Sequence, residues 1–160
     1  MKKIVYTLGN IFATIIVAIV LIFAVLNYSS APNGKGLFGY KGYTVLSNSM
    51  KGTFEAGDYI IDQVTPYDEL QVGEVISYLH DNHTIVTHRI ATITEEGITV
   101  KGDTNPNADD VLITKDNYIG QYRYHIPKLG YLAAQLSNPI ILLSICFAIA
   151  ILLLVLYFKK

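Results

Sequence analysis

Two long uncharged apolar runs, one near each end, leave only the middle of this chain free to build a domain in water. Ile4 to Leu26 reads IVYTLGNIFATIIVAIVLIFAVL and Pro139 to Phe158 reads PIILLSICFAIAILLLVLYF, neither with a charged side chain. A hydrocarbon core about 30 Å thick is crossed by roughly 20 helical residues, so each run can span it as a helix. In 160 residues there is then room for one compact domain between them. The predicted organisation is a cytoplasmic N-terminus at 1–3, a transmembrane anchor at 4–27, an extracytoplasmic domain at 28–138, a transmembrane helix at 139–158 and a cytoplasmic C-terminus at 159–160.

Charge fixes the predicted orientation. Lys2 and Lys3 precede the first run and Lys159 and Lys160 follow the second. Positive residues stay on the cytoplasmic side, which places both termini inside and the middle outside. That middle carries eight Lys/Arg against thirteen Asp/Glu, a balance of −5, which argues against nucleic acid as a partner. The lipid bilayer is the first partner the sequence implies.

The N-terminus also reads as a removable signal peptide, because Ser29-Ser30-Ala31 has a small-x-small pattern. The apolar run exceeds the usual h-region, and Pro32 directly after that pattern disfavours scission, so an uncleaved anchor is expected. The single cysteine, Cys146, lies within the second run. It gives no disulfide framework and is expected to act as a small buried hydrophobe.

Between the runs the apolar pattern has period two more often than 3.6. Tyr59 to Val64, Val75 to Leu79, Thr84 to Ile93 and Ile98 to Lys101 are β-branched and aromatic stretches bounded by Gly, Asp, Asn and Pro. The fold class is therefore mainly β, a small membrane-anchored β-domain flanked by one transmembrane helix at each end. His80-Asp81-Asn82-His83 and Glu95-Glu96-Gly97 are expected to be strand connections, and Ser29 to Gly39 the linker from the anchor. On the strand Thr84 to Ile93, alternation puts His88 on the face of Val86 and Ile90, with Arg89 opposite.

Acyl transfer by serine needs a hydroxyl, a base, a group that orients the base and donors for the oxyanion. Ser49 or Ser47 can supply the hydroxyl, His88 the base, and Asp103, Asp109 or Asp110 the carboxylate. The spare serine and backbone N–H groups can serve the oxyanion. Spacing by itself does not select these residues, since most domains of this size contain all three types.

The ordered stretches Ser47-Asn48-Ser49-Met50, Ala56-Gly57-Asp58, Ile85-Val86-Thr87-His88-Arg89-Ile90 and Lys101-Gly102-Asp103-Thr104-Asn105 with Asp109-Asp110 resemble the boxes of type I signal peptidases. The later Gly120, Ile126-Pro127 and Leu129-Gly130-Tyr131 extend the likeness over nearly the whole chain. Histidine at position 88, where the usual bacterial members carry lysine, resembles the endoplasmic-reticulum (Ser/His) subtype, which some Gram-positive bacteria and archaea share.

The resemblance implies a β-domain of signal peptidase type in the plasma membrane. The activity it implies is that of a serine endopeptidase removing signal peptides from exported preproteins after small residues. Ser49 matches the nucleophile, Ser47 the oxyanion helper beside the Ser49 N–H, and His88 the general base. Family spacing selects Asp109, aligning the acidic pair selects Asp110, and Asp103 matches a supporting position. No cofactor and no metal is implied, and further membrane subunits are not specified. Two departures stand out: Lys51-Gly52-Thr53 replaces the proline usual soon after the methionine, and Gly73-Glu74 replaces a second Gly-Asp.

Competing readings attach to the same residues. A Ser/Lys dyad would need Lys51 or Lys101, which read better as solvated side chains. His80, His83 and Asp81 lack a third convincing metal ligand. Asn82-His83-Thr84 is a glycosylation sequon. Tyr40, Tyr43, Tyr131, Tyr157 and Phe158 fit either a membrane-facing surface or plain packing. The rival function is a catalytically inactive, membrane-anchored accessory protein that binds or helps assemble exported chains.

Overall fold

The computed structural model describes residues 2–81 and 83–158. The sequon's acceptor Asn82 and the C-terminal pair Lys159 and Lys160 lie outside the described residues, as does Met1. The chain divides into two compact units, Leu26–Ala133 and the terminal stretches Met1–Val25 with Ala134–Lys160.

The terminal unit is helical, as unbroken runs of Leu, Ile, Ala and Phe dictate when no alternation offers a strand. α1 covers Lys2–Ser29. Its stretch Thr7–Ser29 is 23 residues long and apolar enough to cross a membrane. After α2 (Leu129–Ser137), the second apolar run forms α3 (Pro139–Phe158). Asn138 starts α3: its side-chain oxygen accepts from Ile140 N at 2.9 Å, and Pro139 occupies the first helical position, where a missing N–H costs nothing. Leu8, Phe12 and Ile22 on α1, like Ile140, Leu143 and Phe147 on α3, are exposed. Cys146, expected to act as a small hydrophobe within the second run, lies on the outer surface of α3.

The other unit is one antiparallel sheet in the order β1-β2-β6-β3-β4-β5. Its strands are β1 (Tyr40–Thr44), β2 (Tyr59–Gln63), β3 (Val75–Leu79), β4 (Ile85–Ile93), β5 (Ile98–Lys101) and β6 (Tyr118–Ile126). Four of these coincide, within a residue at an end, with the alternating runs read from the sequence. β3 and β4 pair with Ile76 opposite His88. The turn between them is closed by Asp81, whose Oδ1 accepts from the N–H groups of His83 and Thr84 at 3.0 and 2.6 Å. The β4–β5 turn is closed by Thr94 N donating to Gly97 O at 2.9 Å, with Gly97 at φ 152°, a conformation that side chains disfavour.

β1 and β6 were not anticipated, and both hide polar groups where alternation should show apolar ones. Lys41 on β1 and Gln121 on β6 are buried, as are Asp62 of β2 and Ser77 of β3; Lys41 stands opposite Asp62 in the register, while Gln121 meets the Thr65 hydroxyl at 3.1 Å. On β1, a Cβ at Gly42 would fall 2.3 Å from the Tyr59 hydroxyl, so any other residue there requires the Tyr59 ring to move.

Two apolar clusters hold the sheet. Leu70, Ile76, Tyr78, Ile90, Ile98, Val100 and Ile113 form the larger, and Met50, Phe54, Ile60 and Val75 the smaller. Each such side chain contributes about 1.5–3 kcal/mol on burial. The smaller cluster fixes the functional loop, because Met50 directly follows Ser49 and is fully buried. The expected linker is ordered against β1: Gly42 N donates to Ser30 Oγ (2.9 Å), Tyr43 OH to Ser30 O (2.8 Å) and Lys41 Nζ to Pro32 O (2.8 Å).

Candidate active site

Ser49 sits in the loop between β1 and β2, whose base is tied by Val45 N donating to Asp58 O and Gly57 N to Val45 O, both at 2.9 Å. Inside the loop, Asn48 Oδ1 accepts from Ala56 N (2.9 Å) and Met50 O from Thr53 N (2.9 Å) and Phe54 N (3.1 Å). Asp58 accepts from Glu55 N and Lys128 N. Those two N–H groups, with the charges of His125 and Lys128, hold its carboxyl below the usual range. The Gly57-Asp58 pair is thus a loop fastener. From the other side Thr104 N donates to Ser49 O at 2.9 Å.

His88 projects from β4, flanked by β3 and β5, and is 6 % exposed. Its Nε2 lies 3.0 Å from Ser49 Oγ and its Nδ1 lies 2.5 Å from Asp109 Oδ2. A carboxylate only accepts, so Nδ1 carries the proton and donates to Asp109, which leaves Nε2 to accept from the serine hydroxyl. Asp109 comes from the segment after β5, anchored by its own N–H donating to Val100 O at 2.9 Å. The phenol of Tyr78 on β3 donates to the same Asp109 oxygen. Gly102 lines the imidazole, and a Cβ at that position would come within 3.0 Å of His88 Nε2.

The remaining predicted residues separate clearly. Ser47 Oγ is 3.2 Å from Ser49 Oγ and solvent-exposed. Asp110 is exposed, and it is Asp109 that faces His88. Asp103 forms a two-pronged pair with Arg89, whose Nε and Nη2 donate to Oδ1 and Oδ2, each at 2.8 Å. The Arg89 guanidinium holds the Asp103 carboxyl below its ordinary range. Thr53 completes that cluster by donating to Asp103 Oδ2 (2.7 Å) and accepting from Arg89 Nη2 (2.9 Å), while Arg89 Nη1 donates to Gly73 O (2.9 Å). Lys51 and Lys101 are exposed.

Sequence reading missed Tyr78, Thr53 and Thr104. Tyr78 had no local signal, because its partner Asp109 is 31 residues away. Thr53 was visible only as part of a stretch lacking proline.

A hydroxyl, an imidazole and a carboxylate in one hydrogen-bonded series is the arrangement that activates a serine for attack on a carbonyl. No family model matches the chain. It is 35% identical over 122 residues to Signal peptidase I W of Bacillus subtilis (strain 168), covering 72% of this chain and 64% of that protein. It is also 30% identical over 107 residues to the signal peptidase complex catalytic subunit SEC11 of Colletotrichum graminicola (strain M1.001 / M2 / FGSC 10212), covering 59% of this chain and 62% of that protein. The matched region is thus a little under two thirds of the length of each relative.

Proposed function

Because the chain is a homologue of the type I signal peptidases, we propose that it is a membrane-bound serine endopeptidase removing signal peptides from exported preproteins after small residues. The observation that carries this is the series Ser49 Oγ to His88 Nε2 at 3.0 Å and His88 Nδ1 to Asp109 Oδ2 at 2.5 Å.

In the proposed reaction Ser49 Oγ attacks the scissile carbonyl while His88 Nε2 takes its proton. The oxyanion is held by the Ser49 N–H and the Ser47 hydroxyl, whose exposure leaves it free to turn toward substrate. Asp109 holds the imidazolium, which then protonates the leaving amine. Water deacylates Ser49 with His88 again as base, a role worth roughly 10²- to 10⁴-fold in rate. Histidine in the base position favours the Ser/His subtype, and the pairing of Asp103 with Arg89 favours a supporting role for Asp103 away from the reacting groups.

The uncharged apolar faces of α1 and α3 favour two membrane crossings, bounded as 1–3, 4–27, 28–138, 139–158 and 159–160. Both termini are then cytoplasmic in the plasma membrane, with the sheet outside. The test is incubation of the full-length membrane protein with a preprotein. A new N-terminus after a small residue, lost in Ser49→Ala, is expected; cleavage by Ser49→Ala at the wild-type rate overturns the proposal.

A further inference from the structure

Asp109 Oδ2 is approached by two donors, His88 Nδ1 and the Tyr78 phenol. Tyr78 stands on β3 opposite Val86, fully buried in the larger core cluster. Asp109, by contrast, belongs to the irregular segment after β5, with an N–H to Val100 O bond as its backbone tie. A carboxylate on such a segment has rotamers to choose from. A phenol on a packed strand removes that choice.

Resting on the Ser/His/Asp reading, we infer that Tyr78 is a positioning residue: its hydroxyl fixes the Asp109 carboxylate and moderates how strongly that carboxylate holds the imidazolium of His88. The two effects share one atom. Two donors on one oxygen divide its negative charge, so the phenol weakens the attraction between Asp109 and a protonated His88. Burial and the neighbouring carboxylate both push the Tyr78 phenol well above its ordinary range. It therefore remains a neutral donor across the pH range in which a histidine base works.

Other charged or titratable groups near the pair are accounted for. His80 meets the Tyr78 ring edge-on at 6.4 Å between centroids. Asp103 is paired with Arg89 at 2.8 Å, and Lys101 and Asp110 are exposed. All of these are unchanged when only the phenolic oxygen is removed.

The experiment measures kcat and KM for preprotein cleavage against pH in the full-length protein and in Tyr78→Phe. Expected is a fall in kcat of about tenfold, with KM held within about twofold. The acidic limb of the profile should move up by about half a pH unit or more, because an unshared Asp109 oxygen holds the imidazolium more tightly. The limb's midpoint does not depend on how much of a preparation is active, so partial misfolding does not mask it. Tyr78→3-fluorotyrosine keeps the shape and strengthens the donor, and is expected to move the limb down. Tyr67→Phe removes another hydroxyl packed on this core, one that donates to Ile113 O at 2.8 Å, and should leave the limb in place. A Tyr78→Phe profile superimposable on the wild type overturns the inference, as does an equal shift in Tyr67→Phe. Loss of cleavage in Ser49→Ala and His88→Ala alongside such a result would leave the proposed activity standing, whereas retained cleavage in Ser49→Ala would remove both.

Discussion

Asp109, and not its neighbour Asp110, faces His88: Oδ2 of Asp109 lies 2.5 Å from Nδ1 of the imidazole, while Asp110 is exposed. Asp109→Asn is expected to lower kcat by about 10³- to 10⁴-fold, because an amide lacks the charge that holds the imidazolium and can present the wrong tautomer partner. Asp110→Asn is expected to stay within about twofold, as exposed polar replacements usually do. Parallel preprotein assays decide it, and a larger loss in Asp110→Asn reverses the assignment.

The base is tested the same way. Histidine at 88 is hydrogen-bonded to Ser49 Oγ, whereas Lys51 and Lys101 are exposed. His88→Ala should abolish detectable cleavage, and Lys101→Ala and Lys51→Ala should each keep most of it, within about threefold. The opposite ranking would point to a Ser/Lys dyad.

Much of the fold was legible because β2, β3, β4 and β5 are β-branched and aromatic runs bounded by Gly, Asp, Asn and Pro, and the helices were legible because their runs are uncharged. β1 and β6 were not, since buried Lys41 and Gln121 mimic exposed positions and only neighbouring strands explain them. The site follows the same division. Ser49 and His88 could be named only through the ordered boxes that resemble the type I signal peptidases, and the carboxylate could be narrowed to three. Choosing Asp109 needed the path of the segment after β5, and Tyr78 needed a register between strands. Neither is a local property of sequence.

Gly102 bears on the imidazole directly. A Cβ there would stand 3.0 Å from His88 Nε2 and 2.8 Å from the Asn105 side chain. Asn105 can yield, but His88 is buried and its Nε2 is the atom that meets Ser49. Gly102→Ala is therefore expected to reduce kcat by more than about tenfold through misplacement of the base, with the melting temperature nearly unchanged. Full activity would show that the imidazole has slack.

Asp62 predicts a pH dependence of stability. It is fully buried on β2 with neither carboxylate oxygen in a hydrogen bond of normal geometry. Burial pushes it up to about 7, against the pull of the nearby Ser77 hydroxyl and the Lys41 charge. Its unfolded-state value is about 3.9, so between those limits the folded chain holds a proton the unfolded chain has released. Stability should fall as pH rises through that window and level off above it. Asp62→Asn removes the ionisation and should melt higher than wild type at pH 8, by up to roughly 4 kcal/mol of stability, with the gap closing toward pH 4. A gap that is independent of pH, or a less stable variant at pH 8, would contradict this.

The turn after Met50 shows what replaces the missing proline. Gly52 has φ 103°, a value open to glycine and closed to proline, whose ring holds φ near about −65°. The turn is stiffened by the Thr53 hydroxyl, which joins Arg89 of β4 and Asp103 of the turn after β5. Rigidity comes here from a cross-sheet hydrogen-bond cluster, not from a restricted backbone. Gly52→Pro, which recreates the Met-x-Pro form common in the resembled family, should accordingly impair the protein: the turn must reopen, Thr53 leaves Asp103, and Ser49 moves with Met50. A loss in kcat of at least about tenfold is expected, since small displacements of a nucleophile carry large rate penalties. Thr53→Val, which keeps the shape and removes the hydroxyl, should reproduce part of that loss without changing the backbone. If Gly52→Pro cleaves as fast as the wild type, the loop tolerates the family geometry, and the Thr53, Asp103 and Arg89 cluster is not what holds Ser49 in place.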